Sequence, residues 1–120
     1  MYAISKDFAF SASHQLSGLP ADHPCSRLHG HNYIIRLTLQ GDTNEIGFVT
    51  DYRELDSFKQ WIDSHLDHRH LNNVFDFNPT AENMAHFMYQ YCHTELGLTN
   101  VHEVSVSETP KTWATFTEGE

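Results

Sequence analysis

Apolar residues recur at every second position over residues 2–14. Tyr2, Ile4, Phe8, Phe10 and Ala12 share one parity, and Ser5, Asp7, Ser11 and Ser13 fall on the other, with Ala3 and Ala9 among them. Period two predicts a half-buried strand. His14 continues the apolar parity, so its ring is expected to point inward. The pattern stops over residues 15–24, where Gly18, Pro20 and Pro24 punctuate a loop and His23 is expected to be solvated. It resumes over residues 29–40: His29, His31, Tyr33, Ile35, Leu37 and Leu39 share a face, and Asn32, Arg36, Thr38 and Gln40 oppose them, with Ile34 the exception. The simplest pairing of the two strands is antiparallel, which sets His14 beside His29 and His31, all in phase with the inner face.

The period then changes. After a turn region over residues 41–47, Asp51 with Glu54 three residues on reads as a capping box. Leu55, Phe58, Ile62 and Leu66 follow at helical spacing as a core-facing stripe. A polar cluster over residues 66–72 ends that helix. Thr80 is the expected N-cap of a second one, in which Met84, Phe87, Met88 and Tyr91 face inward and Gly97 marks the end. Residues 101–108 and 112–117, separated by Pro110, read as two more strands. The order strand, strand, helix, helix, strand, strand predicts an α+β domain spanning residues 1–120: a four-stranded antiparallel sheet with both helices on one face. Such a sheet has two open edges, which assembly edge to edge into a ring would remove.

Composition narrows the function. A chain of 120 residues suits one core, and a formal charge of −9 without a basic run argues against nucleic acid. An anionic substrate would then depend on a local metal and a few cations such as Lys6, Arg27 or Lys111. No apolar run approaches a membrane span, no signal-peptide pattern opens the chain, and two cysteines make no disulfide framework, so the cytoplasm is the expected compartment.

The candidate chemistry gathers around residues 25–31, Cys-Ser-Arg-Leu-His-Gly-His. Side chains two apart in a strand share a face at roughly 6.5–7 Å along the chain, so His29 and His31 can aim at one ion. With His14 they form a candidate three-imidazole zinc site with an open fourth position; neutral ligands leave the ion its full charge. The alternative is three histidines serving solubility and hydrogen bonding in polar turns. Cys25 is open to three readings: a fourth ligand, a nucleophile or base, or a small buried residue; nearby Arg27 favours a reactive role. Cys92, mid-helix among bulky residues, reads as structural. Asp67 and His68 form either a carboxylate–imidazole pair or a plain helix end that favours a histidine. Glu108, on the inner parity at a strand end, either binds a pair of donors on a ligand or marks an exposed terminus.

Together these residues resemble the 6-pyruvoyltetrahydropterin synthase superfamily, most closely its bacterial, carboxy-forming branch. The matching stretches are 10–14 (Phe-Ser-Ala-Ser-His), 25–31, 66–68 (Leu-Asp-His) with Leu71 and Asn72, 79–83 (Pro-Thr-Ala-Glu-Asn) and 107–109 (Ser-Glu-Thr), in the family's order across nearly the whole chain. The resemblance implies the tunnelling fold, with stacked trimers forming a homohexamer and pockets between subunits. It also implies that His14, His29 and His31 bind Zn2+ and that Cys25, Asp67 and His68 transfer protons. Glu108 would anchor a pterin ring, with Arg27 and Thr109 placed among the substrate-binding residues. The substrate it implies is 7,8-dihydroneopterin triphosphate, cleaved to 6-carboxytetrahydropterin, acetaldehyde and triphosphate for queuosine synthesis. The three residues between Cys25 and His29 match the carboxy-forming branch. The pyruvoyl-forming branch, which releases triphosphate without acetaldehyde, is the runner-up, and a non-catalytic zinc-stabilised scaffold is the alternative of another class.

Overall fold

A computed structural model describes residues 1–119. The first two strands run as the alternation predicts: β1 is Tyr2–His14 and β2 is His29–Gly41. They pair antiparallel over their full length, with Phe8 opposite Ile35, Phe10 opposite Tyr33, Ala12 opposite His31 and His14 opposite His29. A 3-10 turn at Tyr52–Leu55 leads into α1 (Asp56–His65). Two short elements follow, β3 (Arg69–His70) and α2 (Leu71–Val74), and then α3 (Ala81–Thr94), β4 (Val101–Ser107) and β5 (Ala114–Thr117).

The sheet is five-stranded and mixed, in the order β3-β1-β2-β4-β5, which corrects the expected four antiparallel strands. The extra strand, β3, lies parallel to β1, pairing Arg69 with Ala12 and His70 with Ser13. Two residues are too few to show an alternation, so the hydrophobic pattern carries no trace of it. It covers only the end of β1. Most of that strand's outer edge, and β5 on the other side, are left without a partner strand among the described residues.

The helix starts differ from expectation in one respect. Asp51 caps through its side chain, which accepts from the Arg53 N–H, but the turn it opens is 3-10 and α1 begins only at Asp56. A 3-10 first turn is common at helix N-termini. Thr80 caps α3 as expected, its hydroxyl accepting from the Asn83 N–H. Gly97, at φ 67, supplies the left-handed residue just beyond the helix.

The inner face of the sheet and the apolar stripes of α1 and α3 make one core. Tyr33, Ile35, Leu37, Leu39, Leu55, Phe58, Met84, Met88, Cys92 and Val104 are wholly buried in it. Each such side chain contributes on the order of 1.5–3 kcal/mol by leaving water. Trp61, absent from the expected stripe, joins it and stacks on Tyr91 at 4.6 Å between ring centroids. Core and site share one surface. The parity that buries Phe8, Phe10 and Ala12 carries His14 inward at the next step along β1.

Candidate metal centre

His14 is completely buried, and His29 and His31 are partly so. One ring nitrogen from each lies within 4.8 Å of the others. The rings stand steeply to one another, with centroids 4.5 Å apart for His14 and His29, 5.1 Å for His14 and His31, and 4.8 Å for His29 and His31. Three imidazoles edge to edge, rather than stacked, bring lone pairs together instead of faces.

Their hydrogen bonds decide which nitrogens are free. His14 donates Nδ1–H to the Pro79 carbonyl at 2.9 Å, and His29 donates Nδ1–H to the Arg27 carbonyl at 2.7 Å. A carbonyl only accepts, so both rings carry their proton on Nδ1 and present an Nε2 lone pair. Those two Nε2 atoms are 2.9 Å apart. In neutral rings two lone pairs at that distance repel unless a cation lies against both. His31 Nε2 is buried without a hydrogen-bond partner among the described residues, the Glu108 Oε2 being 3.5 Å away and off the hydrogen-bonding geometry. An orphaned buried nitrogen calls for an explanation. A cation shared by the three nitrogens satisfies all of them at once, and the donor set suits a metal of the zinc type.

Burial holds the His14 ring below the usual histidine range, against the Pro79 hydrogen bond and the Glu108 charge, which push it up. Burial likewise lowers His31, opposed by Glu108. Both effects favour the neutral form that a metal needs. Tyr33, on the same face of β2, sets its hydroxyl 3.1 Å from His14 Nδ1; burial, then the Glu108 charge, pushes that phenol up, so it stays protonated. The carbonyls of Pro79 and Arg27 and the Tyr33 hydroxyl orient the metal-facing rings, as second-layer partners do at metal sites. None of the three was apparent in the sequence as an orienting group. Tyr33 read as an ordinary inward residue, and backbone carbonyls leave no sequence signal.

The other expected site residues are placed as follows. Cys25 lies half-buried in the 3-10 turn Pro24–Ser26 and contributes no atom to the imidazole cluster. His23 is more than a solvated loop residue: its Nδ1 accepts the Cys25 N–H at 3.0 Å. Arg27, exposed, reaches the site through its carbonyl. Gly30 keeps an ordinary backbone conformation, and a Cβ there would sit 3.4 Å from the Ala12 carbonyl on β1, so its small size serves strand pairing. Glu108 and Thr109 line a cavity of about 440 Å³ with His31, Ile34 and Ser107. Thr109 also bonds the Thr112 hydroxyl at 2.9 Å.

Asp67 and His68 do form a pair, with His68 Nδ1 3.0 Å from Asp67 Oδ2. The Ser11 N–H donates to Asp67 Oδ1, and this bond, then the His68 contact, holds the carboxyl below the usual range. His68 adopts φ 59, a conformation uncommon outside glycine, fixed by its N–H donating to the Ser11 carbonyl at 2.6 Å. The pair is thereby bolted to the outer edge of β1. Its imidazole is 82 % exposed and opens on a cavity lined by Ser11, Ser13, Asn32 and His70 and also by His31 of the imidazole cluster. Neither Asp67 nor His68 contributes an atom to the imidazole cluster.

The chain matches the 6-pyruvoyl tetrahydropterin synthase family over residues 3–119. It is 34% identical over 116 residues to the 6-carboxy-5,6,7,8-tetrahydropterin synthase of Synechocystis sp., an alignment covering 91% of this chain and 88% of the relative. It is 30% identical over 127 residues to the enzyme of the same name from Bacillus subtilis, covering 96% and 84%. The structure of Caenorhabditis elegans 6-pyruvoyl tetrahydropterin synthase superposes with a TM-score of 0.83 at 25% identity, covering 98% of this chain and 96% of that one. No helix among the described residues is long and apolar enough to cross a membrane. With a near-complete family match and three inward-facing imidazoles at the end of its first strand pair, this protein belongs to the 6-pyruvoyl tetrahydropterin synthase family.

Proposed function

We propose that this protein is a zinc-dependent 6-carboxy-5,6,7,8-tetrahydropterin synthase, a lyase that converts 7,8-dihydroneopterin triphosphate to 6-carboxytetrahydropterin, acetaldehyde and triphosphate in queuosine synthesis. The observation that carries it is the convergence of three imidazole nitrogens, one of them orphaned, in a chain whose near-full-length relatives bear that name. His14, His29 and His31 hold the metal. Zinc bound there supplies a Lewis acid for the hydroxyls of the substrate side chain.

The chain's own residues do the rest. Glu108, beside His31 and lining the adjoining cavity, accepts hydrogen bonds from the amino and ring N–H groups of the pterin. Thr109 continues that cavity, and Arg27 attracts the phosphates near the metal. Cys25 moves the proton at the side chain. Asp67, with Oδ2 3.0 Å from His68 Nδ1, favours a proton on that nitrogen and leaves Nε2 to take or give one. Neither side chain joins its own chain's imidazole cluster, and a neighbouring copy supplies the pair, so that the site is completed between subunits. The open edges of β1 and β5 support a ring, stacked in pairs as a homohexamer.

The test is to incubate the zinc-loaded protein with 7,8-dihydroneopterin triphosphate and follow acetaldehyde with the pterin product. Acetaldehyde formed together with a 6-carboxy pterin is expected. Triphosphate release with a pyruvoyl product and no acetaldehyde would move the protein to the pyruvoyl-forming branch, and zinc binding without turnover would make it a scaffold.

A further inference from the structure

The thiol loop is held by a device that the metal site does not explain. Residues 15–17 follow β1 outside any strand and bend at Ser17, yet their backbone groups are held from two sides. On one side, Leu16 donates its N–H to the Cys25 carbonyl at 3.0 Å. On the other side no strand among the described residues pairs with them, and two asparagine side chains hold the backbone instead. Asn72 accepts the Gln15 N–H at 2.9 Å and donates to the Gln15 carbonyl at 2.8 Å. Asn78 accepts the Ser17 N–H at 3.0 Å and donates to the Ser17 carbonyl at 3.2 Å. A primary amide has both a donor and an acceptor in one plane, so it can satisfy both backbone groups of one residue.

The clamps are themselves anchored. Asn72 sits in α2, directly after β3, and Asn78 is braced by α3, whose Asn83 donates to the Asn78 carbonyl at 2.9 Å. From the clamped segment the hold passes to the thiol. Besides the Leu16–Cys25 bond, the Gln15 side chain donates to the Ser26 carbonyl at 2.8 Å, and His23 accepts the Cys25 N–H. Both backbone groups of Cys25 are therefore fixed, and the fixing runs back to two amides, one in α2 and one in the loop before α3.

We propose that Asn72 and Asn78 are positioning residues: together they clamp the backbone of residues 15–17 and so set the place of the Cys25 thiol against the metal site. The inference rests on Cys25 being the proton-transfer group proposed above. A misplaced catalytic group costs rate without weakening substrate binding.

The experiment compares wild type, Asn72→Ala and Asn78→Ala with Asn100→Ala as control. Asn100 also donates a side-chain hydrogen bond, to Thr50, but away from the thiol loop. Three readouts are taken: kcat and KM with 7,8-dihydroneopterin triphosphate, amide exchange of the segment 15–28, and iodoacetamide alkylation of Cys25 with buried Cys92 as internal reference. Each clamp variant is expected to lose about tenfold or more in kcat with KM and zinc content little changed. In both, exchange over 15–28 and alkylation of Cys25 should rise severalfold, and Asn100→Ala should show none of these effects. If one variant fails to fold, the other decides. A loop that exchanges as in wild type, or one that loosens while kcat holds, overturns the proposal. If the wild type itself does not turn over this substrate, the proposed function fails; exchange and alkylation then decide the clamp, and unchanged values in both variants overturn it.

Discussion

The inner face of β1 and β2 divides into two halves built on the same register. Toward one end, Phe8, Phe10, Ile35, Leu37 and Leu39 are covered by α1 and α3 and give a dry core. At the other end the same parity carries His14, His29 and His31, whose free nitrogens face one another rather than a helix. One alternation therefore builds both a core and a metal centre. Which of the two a position becomes depends on what lies above it and on whether its polar atoms find partners. Among the described residues the apolar half leaves no buried side-chain polar atom unpaired, whereas in the histidine half one buried nitrogen has no hydrogen-bond partner.

The sharpest way to break the contrast is at its centre. His14→Ala should lose zinc and lose activity by about 10³-fold or more, measured by metal analysis and turnover together. Full zinc occupancy in that variant would remove His14 from the ligand set. Cys25→Ala should lose turnover to a similar degree while keeping zinc content and assembly, because Cys25 contributes no atom to the imidazole cluster.

The apolar half responds in the other currency. Leu37→Ala, at a wholly buried position, should cost about 2–5 kcal/mol in denaturant unfolding, with zinc stoichiometry of the folded protein unchanged. Tyr33 sits on the boundary between the halves. Tyr33→Phe removes the hydroxyl 3.1 Å from His14 Nδ1 and should weaken zinc binding by about tenfold with little loss of stability. A stability loss without an affinity change would return Tyr33 to the core.

The smallest effect concerns acid. The Asp67 carboxyl is held below its ordinary 3.8 by the Ser11 N–H and then His68, so folding favours its ionised form. Its stabilising contribution is present above the unfolded pKa of 3.8 and is lost as pH falls through the lower folded value. Asp67→Asn should therefore flatten the acid side of the stability profile below about pH 4 and leave the neutral side nearly unchanged.

What could be read from the residues was what repeats. Alternation placed β1 and β2 and set His14 opposite His29, and helical spacing placed Leu55, Phe58, Ile62 and Leu66 on the buried side of the first helix. What escaped had no periodic signal. β3 is two residues held by pairing with β1, and it turns an expected four-stranded antiparallel sheet into a mixed one. The capping box at Asp51 and Glu54 opened a 3-10 turn instead of the α-helix itself. Asp67 and His68 were legible as a pair, but their place at the edge of β1 depends on the Ser11 backbone, which no local pattern encodes. The orienting carbonyls of Pro79 and Arg27 escaped for the same reason.

The central claim is that three imidazoles, without Cys25, hold the metal. X-ray absorption at the zinc edge of the loaded protein tests it directly. Nitrogen ligands at about 2.0–2.1 Å with no sulfur in the shell are the predicted result. A sulfur at about 2.3 Å would make Cys25 a ligand and contradict the account.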